Sequence, residues 1–338
     1  MEEQLRQLAE SGDTHAQLKL SMLLDQRGHH GAALELLKKA AQPGNAEAQF
    51  LLGARLLVGR AAPYDPDEGA RWISAAARQG MPQALSLMSV LALVSGDWAA
   101  AAKLMSEAAL RGDARAREQM AILGDGSKFD WERWRARAEP DWQFHAPRIG
   151  IITDFLPEVF CDWLVRRARP GLEPVRVKDP RHGGGMHADY RSNQGAGFGL
   201  LDSDLIIQMI NRRIADATGV PLERQEPTNV LRYRPGEEYR PHNDYISATE
   251  RHEEELRLAG QRTTTFLVYL NDDYEGGETS FPQLDWRFKG RRGDALVFWN
   301  VTADGDPDPR TLHAGLPPTS GEKWLLSKWI RARPYPLI

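Results

Sequence analysis

Cysteine is almost absent: Cys161 is the only one in 338 residues. A lone thiol closes no internal disulfide, which argues against a disulfide-stapled secreted domain and fits a reducing cytosol, so a cytoplasmic location is expected. Charge of one sign is not in excess either. With 43 basic and 47 acidic residues the formal net charge is −4, which gives no general attraction to nucleic acid, and no nucleic-acid partner is expected. No apolar run reaches the roughly 20 residues that span a bilayer. The start, Met1-Glu2-Glu3-Gln4-Leu5-Arg6, lacks the basic region and apolar run of a signal peptide, so no membrane association is expected. What remains is a chain long enough for two domains and a sizeable core.

The first third of the chain repeats. Gly12, Gly44, Gly80 and Gly112 are spaced 32, 36 and 32 residues apart, and each is followed four residues later by an alanine: Ala16, Ala48, Ala84 and Ala116. Alanine pairs precede the last three glycines, at Ala40-Ala41, Ala76-Ala77 and Ala108-Ala109. Small residues at fixed points let paired helices approach closely, and glycine ends one helix and opens the turn to the next. The pattern resembles tetratricopeptide-like helical repeats of the Sel-like subclass. That resemblance implies an α-solenoid over residues 1–125, serving either as a protein- or peptide-binding surface or as a cap on its neighbour. Residues 126–147 form a Trp-rich connector with Trp131, Trp134 and Trp142, expected to hold a packed helix more than a flexible tether.

From residue 148 to 338 the pattern changes to short runs that alternate apolar and polar residues between Gly- and Pro-containing turns. Arg262–Asn271, Gly276–Pro282 and Gly293–Trp299 read as strands of a β-sandwich or barrel, so the fold class is α+β in two domains. Within this half, Tyr239-Arg240-Pro241-His242-Asn243-Asp244-Tyr245 places an imidazole and a carboxylate on alternate positions of an extended segment, where both point the same way. His313, 71 residues on, is close enough in sequence for intervening strands to return it. Two imidazoles and one carboxylate with open positions suit Fe(II) handling an organic acid and O₂, whereas a structural zinc site would want a fourth ligand and usually thiolates. Lys323 stands 10 residues after His313, in a segment whose alternation turns Lys323, Leu325 and Ser327 to one side. A buried ammonium there needs a counter-charge, which a co-substrate carboxylate would supply.

These motifs together resemble the prolyl 4-hydroxylase branch of the Fe(II)/2-oxoglutarate dioxygenases. The match runs from Tyr233, Gly236, Tyr239, His242 and Asp244 through Arg262–Leu270 and Gly276-Gly277-Glu278-Thr279 to His313, Gly315, Lys323 and Trp329. The resemblance implies a double-stranded β-helix, or jelly roll. It also implies His242, Asp244 and His313 as catalytic iron ligands, and Lys323 paired with the distal carboxylate of 2-oxoglutarate, with Tyr233, Tyr269 and Thr279 bonded to that co-substrate. Glu226, Tyr239, Arg191, Arg262 and Trp329 match the family's substrate positions. Fe(II), 2-oxoglutarate, O₂ and supporting ascorbate are the implied cofactors, and a peptidyl proline in a peptide or protein is the implied substrate. One departure stands out: the family's Arg-Thr-Ser loop reads Arg191-Ser192-Asn193 here.

Other readings compete. A free amino acid or small metabolite is an alternative substrate, and a non-catalytic interaction protein or sensor is a further alternative. Retention of Asp244 argues against halogenation, and Lys323 against the nucleic-acid demethylase branch, which uses an arginine after its distal histidine. The loop His182-Gly183-Gly184-Gly185-Met186-His187 reads as a cover over the site, and Asp304-x-Asp306-x-Asp308 as a solvated turn that Pro307 and Pro309 bar from a calcium loop. Residues 249–261 read as a solvated charged helix, with a substrate lid as the alternative.

Overall fold

The computed structural model describes residues 2–124, 129–175, 177–178, 185–186, 191–249 and 252–335. By contact the chain divides into two compact units, Met1–Asp125 with Leu200–Gln208, and Gly126–Gly199 with Met209–Pro336. Most of the loop from His182 to His187 lies outside the described residues. Among the described residues no helix is long and apolar enough to cross a membrane.

Among the described residues of Met1–Asp125 there are eight helices: α1 (Glu2–Glu10), α2 (Thr14–Gln26), α3 (His30–Ala41), α4 (Ala46–Val58), α5 (Pro66–Arg78), α6 (Pro82–Val94), α7 (Trp98–Leu110) and α8 (Ala114–Leu123). The four marker glycines sit at the turns with φ from 81° to 108°, a region where a side chain is strained. The four alanines that follow are buried, three of them with no exposed surface at all. Asp13, Asn45 and Asp113, each one residue after a marker, cap α2, α4 and α8 by accepting from Ala16, Ala48 and Ala116 N–H. In the remaining repeat Met81 stands at that position without a side-chain cap, and Pro82 opens the helix instead. Helices α4 and α5 meet at Gly53 and Gly69, where a Cβ on Gly53 would lie 2.7 Å from the Gly69 carbonyl oxygen.

The remaining helices are α9 (Trp131–Arg135), α10 (Glu158–Ala168), α11 (Leu205–Thr218) and α12 (Glu253–Ala259). Strands of the large sheet are β1 (Asp141–His145), β2 (Arg148–Ile152), β3 (Glu173–Pro174), β6 (Gln194–Phe198), β7 (Thr228–Tyr233), β9 (Arg262–Tyr269), β13 (Ala295–Trp299) and β16 (Lys323–Arg331). They run antiparallel in the order β1-β2-β13-β9-β16-β7-β6-β3. The small sheet, β12-β11-β14-β8, is built from β8 (Tyr239–His242), β11 (Thr279–Phe281), β12 (Trp286–Phe288) and β14 (His313–Gly315). Two short pairs complete the set, β4 (Val177–Lys178) with β5 (Gly185–Met186) and β10 (Glu275–Gly276) with β15 (Pro318–Ser320).

Phe281 of the small sheet joins Leu231, Leu267, Phe298 and Leu325 of the large one in a single core cluster. The two sheets are therefore the two halves of a jelly roll, closed by their inward residues. The opposite face of the large sheet buries Val230, Phe266, Val268 and Leu326, and α10 packs against β6 and β7 there. Much of the Trp-rich stretch belongs to this unit. Phe129 stacks on Phe160 at 4.9 Å, and Trp134 packs on both rings. Strand β1, inside the stretch read as connector, is an edge of the large sheet; its Trp142 meets Trp299, and the Arg148 guanidinium lies over both rings.

Candidate active site

Antiparallel pairing of β8 with β14 sets His242 opposite His313, and their rings lie 4.2 Å apart. His242 Nδ1 lies 2.8 Å from the Arg240 carbonyl oxygen, and His313 Nδ1 lies 3.0 Å from that of Thr311. A carbonyl only accepts, so each Nδ1 carries the proton and each Nε2 keeps its lone pair, the tautomer of a metal ligand. Both Nε2 atoms approach the Asp244 carboxylate, at 3.6 Å to Oδ1 and 3.5 Å to Oδ2. All three ligand atoms lie within 4.8 Å of one another, and among the described residues this is the sole cluster of its kind.

Electrostatics suit the same role. Burial brings the His313 pKa down to about 4, so the ring is neutral at pH 7. Burial raises the Asp244 carboxyl, but the two imidazoles, in their protonated form, and a hydrogen bond from Thr265 outweigh it and hold the group well below the ordinary carboxylate range. Two imidazoles and a carboxylate, converging on one point, fit a divalent iron.

Lys323 opens β16 opposite Tyr233 and is 1% exposed. Its Nζ donates to the Gly277 carbonyl oxygen at 2.7 Å and stands 5.4 Å from the ring centres of Tyr233 and Tyr269. Burial pulls its pKa down to about 7, against the pull of Glu278. Among the described residues no carboxylate forms an ion pair with this ammonium, and a bound carboxylate would supply the counter-charge. The cavity between Lys323 and the triad is walled by Tyr233, Thr279, Leu231, Leu267 and Leu325, with Arg191, Tyr239 and Trp329 at the side.

Three of the residues matched to the family lie one layer back. The Tyr269 hydroxyl donates to the Phe288 carbonyl oxygen and meets Thr279 Oγ1 at 2.8 Å, so it holds Thr279, and Thr279 faces the cavity. Glu226 grips Arg262 through two oxygens, at 2.7 and 2.9 Å, and also accepts from Arg331 at 3.1 Å. Arg262 in turn lies 3.9 Å over the Trp329 ring; Trp324, of opposite parity, is buried on the other face. Tyr239 stacks on His242 at 3.3 Å beneath the Arg191 guanidinium. The departure from the family loop is structural: Asn193 accepts from Arg191 Nε at 2.9 Å, and Ser192 ties to the backbone of Glu238.

Two hydrogen bonds behind the triad escaped the sequence reading. Thr265 donates to Asp244 Oδ2 at 2.7 Å, and Asn300 donates to Thr265 at 2.9 Å. Strand parity was the available signal, since Thr265 lies four residues before Tyr269 and so on the same inward face. Asp304, Asp306 and Asp308 do not gather; Asp308 is spent on Arg310. Glu255 of α12 pairs with the buried Arg331.

Two imidazoles and a carboxylate converge on one point that could hold Fe(II), and the buried Lys323 lines the same cavity. Fold and site together define an Fe(II)- and 2-oxoglutarate-dependent oxygenase. The family model for the 2OG-Fe(II) oxygenase superfamily matches residues 228–331. Prolyl 4-hydroxylase 1 of Arabidopsis thaliana is 38% identical over 209 residues, covering 58% of this chain and 72% of that protein. The chain belongs to the prolyl 4-hydroxylase family. Among solved structures it is similar to a viral collagen prolyl hydroxylase from Paramecium Bursaria Chlorella virus-1, with 28% identity, a TM-score of 0.43, and 54% of this chain and 96% of that one covered. It is also similar to a Sel1 repeat protein from Oxalobacter formigenes, with 29% identity, a TM-score of 0.32, and 35% and 95% covered.

Proposed function

We propose that this chain hydroxylates a prolyl residue of a peptide or protein. One C–H becomes C–OH with one atom of O₂, while the other atom and the keto acid's two electrons yield succinate and CO₂. The observation that carries the reading is one cavity lined both by the buried Lys323 and by the converging His242, Asp244 and His313 side chains.

Bound Fe(II) with 2-oxoglutarate and O₂ supplies the oxidising chemistry; the chain supplies position and dryness. Lys323 and Thr279 hold the distal carboxylate. Leu231, Leu267 and Leu325 exclude water from the reacting end. Tyr239, Arg191 and Trp329 form the wall on which a pyrrolidine ring and its flanking peptide would lie, and the Glu226–Arg262 pair stiffens Trp329 from behind. The helical repeats are proposed to recruit the protein that carries the proline, which fits their repeated, stackable construction.

The test is incubation with Fe(II), 2-oxoglutarate, ascorbate and a proline-containing peptide library. A gain of one oxygen on proline, matched one to one by succinate, is expected. Stoichiometric iron uptake without turnover of any peptide would overturn the reading. Removing residues 1–125 should raise KM for the captured protein while leaving short-peptide turnover intact; an unchanged KM would sink the recruiting role.

A further inference from the structure

Thr265 and Asn300 have no exposed surface and lie on neighbouring strands, with Thr265 of β9 opposite Phe298 of β13 and Asn300 two residues further on. Asn300 is pinned by its backbone: its N–H donates to the Thr263 carbonyl oxygen at 2.8 Å, and its own carbonyl accepts from Asp308 at 2.9 Å. From that fixed frame the side chain reaches Thr265 Oγ1 at 2.9 Å, and Thr265 reaches Asp244 Oδ2 at 2.7 Å.

The direction of the protons follows from what each group can do. Thr265 Oγ1 donates to Asp244 Oδ2, so its single hydroxyl proton is spent there. Asn300 must then present its amide nitrogen, because its oxygen would compete for that same proton. That orientation leaves Asn300 Oδ1 buried without a partner among the described residues, a cost that the native state carries.

We propose that Asn300 and Thr265 are a positioning relay that fixes the orientation of the Asp244 carboxylate toward the Nε2 atoms of His242 and His313, through the hydrogen bond that Thr265 donates to Oδ2. The proposal rests on reading the triad as an iron site. Its consequence is that the carboxylate is already aimed at the point where the two imidazoles converge, so that metal binding need not first order it.

The experiment uses the full chain and Co(II) alone, read by calorimetric affinity and by the visible absorption that follows coordination number. Thr265→Val is expected to weaken Co(II) binding about 10- to 100-fold, as loss of outer-shell partners does, and to alter the absorption. Thr265→Ser, which restores the hydroxyl, should bring both back. Asn300→Asp puts an acceptor where the donor was, draws the Thr265 proton away and should weaken binding as Thr265→Val does. The double variant should be no worse than Thr265→Val, because one link already breaks the relay. Wild-type affinity and spectrum in Thr265→Val, or failure of the serine to rescue, would overturn the relay alone. If Thr265→Val does not fold, as read by thermal melting, wild-type Co(II) binding in Asn300→Asp is the overturning result. A wild-type chain that takes up no Co(II) would remove the iron reading and the relay together.

Discussion

Replacing Lys323 by methionine isolates the charge, because the side chains are of similar length and the site is 1% exposed. In the wild type the ammonium has a backbone carbonyl at 2.7 Å and a pKa lowered to about 7 by burial. Losing one partner of a desolvated charge pair costs about 2–5 kcal/mol, so 2-oxoglutarate affinity should fall by roughly 30-fold to several thousand-fold. Stability should not fall, since removing an unpaired buried ammonium is neutral or stabilising. The pH dependence has a definite sign. Above pH 7 free Lys323 loses its proton, and binding a dicarboxylate must take one up, so wild-type affinity declines by as much as about tenfold per pH unit and the variant shows no such slope. The same depressed pKa makes the unfolded chain bind more protons between pH 7 and the ordinary 10.5. Co-substrate-free stability therefore rises with pH across that window in the wild type and not in the variant. Calorimetry with Mn(II) in place of iron, in two buffers of different ionisation enthalpy, measures affinity and proton uptake together. An affinity within about threefold of wild type, or an equal pH slope in both proteins, would refute the role of Lys323.

Further outcomes are expected from the same contacts. His242→Ala should abolish stoichiometric metal binding and succinate production; wild-type rates would remove His242 from the ligand set. Glu226→Gln leaves Arg262 and the fully buried Arg331 without their shared counter-charge, so chemical denaturation should show a loss of about 3–5 kcal/mol, and an unchanged midpoint would mean the pair is not structural. Gly53→Val drives a side chain into the Gly69 carbonyl and Ile73 and should cost the helical repeats about 1–3 kcal/mol. A melt of the variant superimposed on wild type would show that α4 and α5 can part without penalty.

Much of the molecule was legible in the sequence because the relevant physics is local. Glycine every 32 to 36 residues marks the inter-helix turns through its backbone freedom, and the alanine four residues later marks the buried helix crossing. Alternation in Lys323–Arg331 correctly turned Lys323, Leu325 and Ser327 to the cavity, and the same rule sent Trp324 to the other face. Strand β1 was missed although Trp142 and Phe144 alternate with Asp141, Gln143 and His145, because tryptophans near a domain boundary read equally well as an amphipathic helix.

By itself the sequence determined the two architectures and the chemical kinds at the site, imidazole, carboxylate and buried amine, since residue type and period are written along the chain. Tertiary structure alone decided who meets whom. Strand pairing set His242 against His313 and brought Asn300 and Thr265 to Asp244, and it gave Glu226 to Arg262 and Arg331. These partners are 21 to 105 residues apart, and at such separations it is sheet closure, rather than any local preference, that chooses the neighbour.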